Sequence, residues 1–173
     1  RLPGVRIASG SLGQGLSVAI GAASAKKLNG DDRLVYTLHG DGELQEGQIW
    51  EAAMYAAAKK VDNLIATVDV NAAQIDGSTD QVLAMGSLRA KFEAFGWTVI
   101  DVAQGNDIDA IREGLRTAKA HTGQGKPVVI LLHTEMGHGV DFMMGTHKWH
   151  GIAPNDEQLA SALAQNPETL GDY

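Results

Sequence analysis

The sequence predicts an α/β fold, a mostly parallel sheet covered by helices on both faces, and three observations carry that expectation. Four short runs are apolar and rich in β-branched residues: Leu34–Leu38, Leu64–Val68, Trp97–Ile100 and Val128–Leu132. Each has the length and near-continuous hydrophobicity of a strand buried on both sides. Segments with apolar residues three or four apart separate these runs. Such an alternation implies crossover connections between parallel strands.

In chain order, the first helical segment spans Gln14 to Leu28. It carries Leu16, Ala19, Ile20 and Ala23 at helical spacing and stops at Asn29-Gly30, a C-terminal cap signal. Strand Leu34–Leu38 follows, then the apolar stripe Ile49, Ala52, Ala53 and Ala56, then strand Leu64–Val68. Two more helices, Ser87 to Phe95 and Asp107 to His121, flank strand Trp97–Ile100, and each opens on a side chain suited to cap free N–H groups. Beyond Val128–Leu132, the stretch Gly137 to Gly151 is rich in Gly, His and Met without periodicity. It reads as a long loop, and loops of that length are often functional. A short helix from about Asp156 to Gln165 closes the chain, with Asn155 or Asp156 as its cap. All 173 residues are expected to form one domain, and the start at Arg1 without a Met suggests that upstream sequence is missing or lies on another chain.

Composition narrows the function. Hydrophobic residues make up 44% and charged residues 20%, the balance of a globular protein with a sizeable core. The net charge of −7 argues against a nucleic-acid or acidic-membrane partner, which calls for a basic face. No apolar run approaches the roughly 20 residues that span a bilayer. The absence of cysteine excludes disulfides and thiolate metal sites and fits a reducing cytoplasm.

Ligands of parallel sheets bind beyond the carboxyl ends of strands, so the loops after Leu38 and Val68 should carry the chemistry. The first is Gly40-Asp41-Gly42-Glu43. Glycines on either side of an acid let backbone approach a ligand, and the helix that follows offers free N–H groups to an anion. A carboxylate repels phosphate, but a divalent cation between them removes the conflict. Mg²⁺ suits the role because it takes oxygen ligands and is usually held by few protein groups plus phosphates. The second loop supplies a complement in Asn71, thirty residues beyond Asp41, the length of one crossover unit. Asp41 has a competing role as cap of a helix starting near Gln45. Gly10–Gly15 lacks the dinucleotide-binding spacing and a preceding strand. His147 and His150 lack a third ligand for zinc. His39 reads as a packing histidine, and His133 and His138 stay open. Glu43, Glu46 and Glu51 read on composition as a solvated acidic helix start.

Four segments in order resemble the transketolase family of thiamine-diphosphate enzymes: ASGSLGQGLSVAIG at Ala8–Gly21, GDGELQEGQIWEA at Gly40–Ala52, DVNAAQIDG at Asp69–Gly77 and THKWHG at Thr146–Gly151. The resemblance implies a thiamine-diphosphate-binding fold and transfer of a two-carbon ketol unit between sugar phosphates. It implies that Asp41, the Asn71 side chain and the Ala73 carbonyl bind Mg²⁺, or Ca²⁺ or Mn²⁺ in its place. Gly42 would donate its N–H to the diphosphate, Gly10 and Leu12 would line the cofactor site, and Ile75 would prop the bent cofactor. His150 resembles the family histidine near the diphosphate and the donor sugar, while Glu46 and Glu51 resemble acids at the interface between protomers. Val70 stands where the family often has a second Asn, and Ala72-Ala73 where it commonly has a Gly. The family's upstream Gly-His-Pro segment and its pyrimidine-binding domain, with the glutamate that activates the cofactor, are not in this sequence. The expected partner is therefore a C-terminal transketolase subunit or that missing domain, in a homodimer or heterotetramer, and the isolated chain is expected to be inactive. Another thiamine-diphosphate enzyme (a 2-oxo-acid dehydrogenase α subunit or a deoxyxylulose-phosphate synthase), a non-catalytic cofactor-binding module and a ligand-free structural remnant are the alternatives.

Overall fold

A computed structural model describes residues 3–166. Helix α1 spans Gln14–Leu28 and buries Leu16, Ala19, Ile20 and Ala23, the four residues its sequence pattern selects. It ends where the Asn29 N–H returns to the Ala25 carbonyl and Gly30 turns to φ +65°, with Lys26 and Lys27 placed favourably in the last turn. Strand β1, Val35–Gly40, leads through a 3-10 turn at Glu43–Gln45 into helix α2, Gly47–Ala58. Ile49, Ala52, Ala53 and Ala56 are buried on α2, and the small side chains let α1 and α2 pack closely.

Strand β2, Leu64–Val70, is followed by a small antiparallel hairpin, β3 at Ala73–Gln74 and β4 at Gly77–Ser78. Two short helices come next, α3 at Thr79–Leu83 and α4 at Leu88–Ala94, each capped by a serine hydroxyl, from Ser78 and Ser87 respectively. Strand β5, Thr98–Val102, helix α5, Ile108–Ala120, and strand β6, Val128–His133, complete the main layer. Asp107 caps α5 through the Ala110 N–H. The expected loop at 137–151 holds one 3-10 turn, Lys148–His150, and helix α6, Asp156–Gln165, closes the described chain on a reciprocal Asn155–Gln158 capping box.

The four main strands pair in parallel in the order β1-β2-β6-β5. Side chains alternate across the sheet. Leu64, Ala66 and Val68 of β2 join Leu16, Ile20, Ile49, Phe92 and Trp97 in the larger core, beneath α1, α2 and α4. Ile65 of the same strand points to the second core, with Val128, Ile130 and Val102 against Ala118 of α5. Burying each such large side chain contributes about 1.5–3 kcal/mol, so the two cores supply most of the driving force. Phe92 sits between Trp50 and Trp97, with ring centroids 5.3 and 5.5 Å away, and the Trp97 indole N–H donates to the Ala53 carbonyl at 2.9 Å. The second face is not fully covered at β1: Tyr36 and Leu38 are 48% and 73% exposed. Among the described residues, no helix is long and apolar enough to cross a membrane.

Candidate cofactor and metal site

Parallel pairing places the ends of β1 and β2 side by side, with Gly40 opposite Asp69, and the Asp41 N–H donates to the Asp69 carbonyl at 3.1 Å. The two motif-bearing loops therefore leave the sheet as neighbours. The Asp41 side chain bridges them. It is 4% exposed, and its carboxylate accepts from the Gly42 N–H at 2.8 Å and from the Ala72 N–H at 2.6 Å. It does not cap α2, which starts at Gly47 after Glu46 and has no side-chain cap. Burial pushes the Asp41 carboxyl above its ordinary value, the Ala72 and Gly42 N–H groups pull it down, and nearby Asp69 pushes it up again. A cation beside it would relieve that unfavourable burial of charge.

Ala72 adopts φ +59°, a left-handed backbone that alanine rarely takes. That conformation explains why a glycine suits this segment, and here it turns the Ala72 N–H onto Asp41. The Asn71 amide is held from both sides: its nitrogen donates to Asp69 at 2.9 Å, and its oxygen accepts from the Ala73 N–H at 2.9 Å. Asp69 is held in turn by the Thr134 hydroxyl at the end of β6. Asp41, Gly42, Asn71 and Ala73 thus come together at adjacent strand ends. Gly42 must stay small, since an added Cβ would lie 3.1 Å from Gln74 Cβ.

The remaining sequence-selected residues surround this centre unevenly. Gly10 and Leu12 lie on an exposed loop, which reaches the Gly-Asp-Gly loop through a bond from the Gly13 N–H to Glu43. Ile75, 64% exposed, caps the hairpin tip and lies 3.7 Å from where a Cβ on Gly151 would sit, so the C-terminal loop approaches it. Glu46 is exposed beside Gly13, and Glu51 is exposed on α2, away from the metal loop. His150 is exposed on its 3-10 turn, whereas His147 lines a cleft of about 540 Å³ with Asn71, Ala72 and Ala73. Spacing within an irregular loop could not have distinguished these two histidines. A second cleft, of about 440 Å³, reaches Asp41 and Ala72 from the side of Arg89, Asp101 and His133. His133 is paired with Asp101 there at 3.1 Å, and His138 lies 3.8 Å from Glu135. His39 is buried, as a packing residue should be.

The donor set fits a hard divalent cation. Asp41, Asn71 and the Ala73 carbonyl offer only oxygen, with one formal negative charge, which suits Mg²⁺ completed by phosphate. Among the described residues, no group of three His, Cys, Asp or Glu could hold a metal, so the protein alone offers a weak site.

Comparison with known proteins decides the family. The sequence profile of the transketolase thiamine diphosphate binding domain matches residues 1–168. The chain belongs to the transketolase family. One of the two chains of an apulose-4-phosphate transketolase from Phocaeicola vulgatus is 40% identical over 169 residues, covering 98% of this chain and 59% of the relative. A 6-deoxy-6-sulfo-D-fructose transketolase subunit from a Clostridium species is 41% identical, covering 95% and 59%. Among solved structures, a Pichia stipitis transketolase in complex with sedoheptulose-7-phosphate superposes with a TM-score of 0.84 at 31% identity, over 95% of this chain and 25% of that one. The Campylobacter jejuni transketolase gives 0.82 at 36% identity, over 94% and 26%. The chain therefore spans about three-fifths of these two curated relatives and about a quarter of these solved transketolases.

Proposed function

We propose that residues 1–173 are the diphosphate-binding domain of a two-chain transketolase, holding thiamine diphosphate through Mg²⁺ and moving a two-carbon ketol unit between sugar phosphates once a pyrimidine-binding partner is present. The observation that carries this reading is the buried Asp41 carboxylate, fixed by N–H groups from both strand-end loops and flanked by Asn71. A merely structural carboxylate would not need burial against its own raised pKa, whereas a metal ligand does. The naming of these relatives as subunits supports a second chain.

Thiamine diphosphate, when bound, supplies the nucleophilic carbon and the electron sink; the protein supplies position and electrostatics. Asp41, Asn71 and the Ala73 carbonyl would hold the cation, leaving net positive charge to face the diphosphate in a protein of net charge −7. The Gly42 N–H would turn to a diphosphate oxygen. Gly10, Leu12 and Ile75 would shape the cavity. The C-terminal loop would bring a histidine to the reacting end, His150 by resemblance or His147 by its place in the cleft. Glu46 and Glu51 would meet the partner chain from the exposed side of α2.

Titration calorimetry with Mg²⁺ and thiamine diphosphate tests the reading. Asp41→Ala should weaken Mg²⁺-dependent binding by more than the ~10–100-fold that loss of an outer-shell partner costs, with the far-ultraviolet circular dichroism unchanged. Unaltered affinity in that variant would return Asp41 to a structural role. The chain alone should show no ketol transfer, and adding a chain with the pyrimidine-binding domain should restore it.

A further inference from the structure

Glu43 belongs to no ligand set named above, yet its side chain is turned inward and only 13% exposed. One carboxylate oxygen accepts from the Gly13 N–H at 3.0 Å, and the other accepts from the Gly40 N–H at 3.3 Å. His39 Nδ1 lies 3.3 Å from the first oxygen, off the line of a directed hydrogen bond, and makes no other. Its Nε2 is engaged by the Thr37 hydroxyl at 2.9 Å. Glu43 thus joins the end of β1, the 3-10 turn and the loop before α1. Burial alone would raise its carboxyl, but the His39 ring and the two backbone N–H groups outweigh that and hold it lowered.

The loop before α1 has little else to fix it. Gly10 has open space around it and Leu12 is 54% exposed. Gly13, in contrast, is buried at φ +82°, with room for no side chain, because an added Cβ would lie 3.0 Å from Glu46 Cβ. This turn aims the Gly13 N–H at Glu43. Beyond it, Gln48 of α2 bonds to Gln14 and Ser17, which secures the first turn of α1 but not the loop itself.

We infer that Glu43 is a positioning residue, which pins the loop carrying Gly10 and Leu12 at a fixed distance from the metal loop and so holds both walls of the diphosphate site ready before the cofactor arrives. The inference rests on the cofactor reading of the preceding section. Without Glu43 the buried Gly13 N–H loses its acceptor, and a loop with so few other bonds moves rather than leave it unpaired. Cofactor binding must then reorder the loop, which lowers affinity. Glu43→Gln keeps a carbonyl oxygen that can accept from Gly13; Glu43→Ala keeps nothing.

The test uses the full chain, with thiamine diphosphate and Mg²⁺ as probes and amide hydrogen exchange as a second readout. Wild type should bind, Glu43→Ala should bind about tenfold or more weakly at a temperature where it is fully folded, and Glu43→Gln should stay within about threefold of wild type. The Gly13 amide should exchange faster in the alanine variant without cofactor. Wild-type binding with Glu43→Ala within about threefold of it, or with Glu43→Gln as weak as Glu43→Ala, overturns the positioning role while the cofactor reading stands. Failure of wild type to bind in the presence of a pyrimidine-binding partner chain overturns the cofactor reading, and this inference with it.

Discussion

Ala72 shows the conflict between stability and site geometry at a single residue. Its left-handed backbone costs an L-residue roughly 1–2 kcal/mol, whereas glycine takes it freely but loses about 0.5–1 kcal/mol of chain entropy on folding. The strain is the larger, so Ala72→Gly should stabilise the ligand-free chain, by up to about 1 kcal/mol, read as a higher urea midpoint at constant slope. A lower midpoint would mean that the Ala72 methyl makes contacts that outweigh the strain. Such strain persists because the N–H it aims at Asp41 joins the two loops. Phe92 lies at the opposite extreme, 1% exposed between two indoles with no polar task, and Phe92→Ala should cost about 3–5 kcal/mol.

Between elements, tethers rather than packing set the register of the turns. Asp62, just before β2, binds Lys27 of α1 at 2.6 Å and the Gly125 N–H at 2.9 Å, while its carbonyl accepts from Gly123 at 3.0 Å. Burial would raise its carboxyl, but the Lys27 ammonium and the Gly125 N–H hold it below the ordinary value of 3.8. A lowered folded-state pKa stabilises the fold above 3.8 and ceases to do so as pH falls through the lowered value. Asp62→Asn should therefore be less stable than wild type at neutral pH, with the gap in melting temperature closing in acid; a gap independent of pH would contradict this. The larger elements were legible in the sequence to within one or two residues at most ends, because strands buried on both faces leave unbroken apolar runs. The α1 face and the caps Ser87, Asp107 and Asn155 were legible too, since capping needs a particular side chain at a particular place. The β3–β4 hairpin and α3 were not, being too short to show a period. Asp41 and Asn71 were readable from their spacing. Glu43 was not, because its partner Gly13 is a backbone group thirty residues away and leaves no trace in side-chain pattern.

Over the whole molecule, the proposed site draws on the loop before α1, both strand-end loops and the C-terminal loop, so ligand binding should report on the entire fold. Mg²⁺ alone should leave the melting temperature nearly unchanged, as one carboxylate and two neutral oxygens hold it weakly. Mg²⁺ with thiamine diphosphate at about 100 times its dissociation constant should stabilise by about 2.7 kcal/mol, a rise of several degrees. An equal rise with Mg²⁺ alone would place the metal elsewhere. A different behaviour follows from the margin of the sheet. Among the described residues no strand pairs with the outer edge of β1, and the run Val35–Gly40 has no Lys, Arg, Asp or Glu to repel an approaching strand. With Tyr36 and Leu38 bare beside it, that margin is adhesive. Concentrated solutions of this chain should scatter more light over time, and Leu38→Lys should keep them clear.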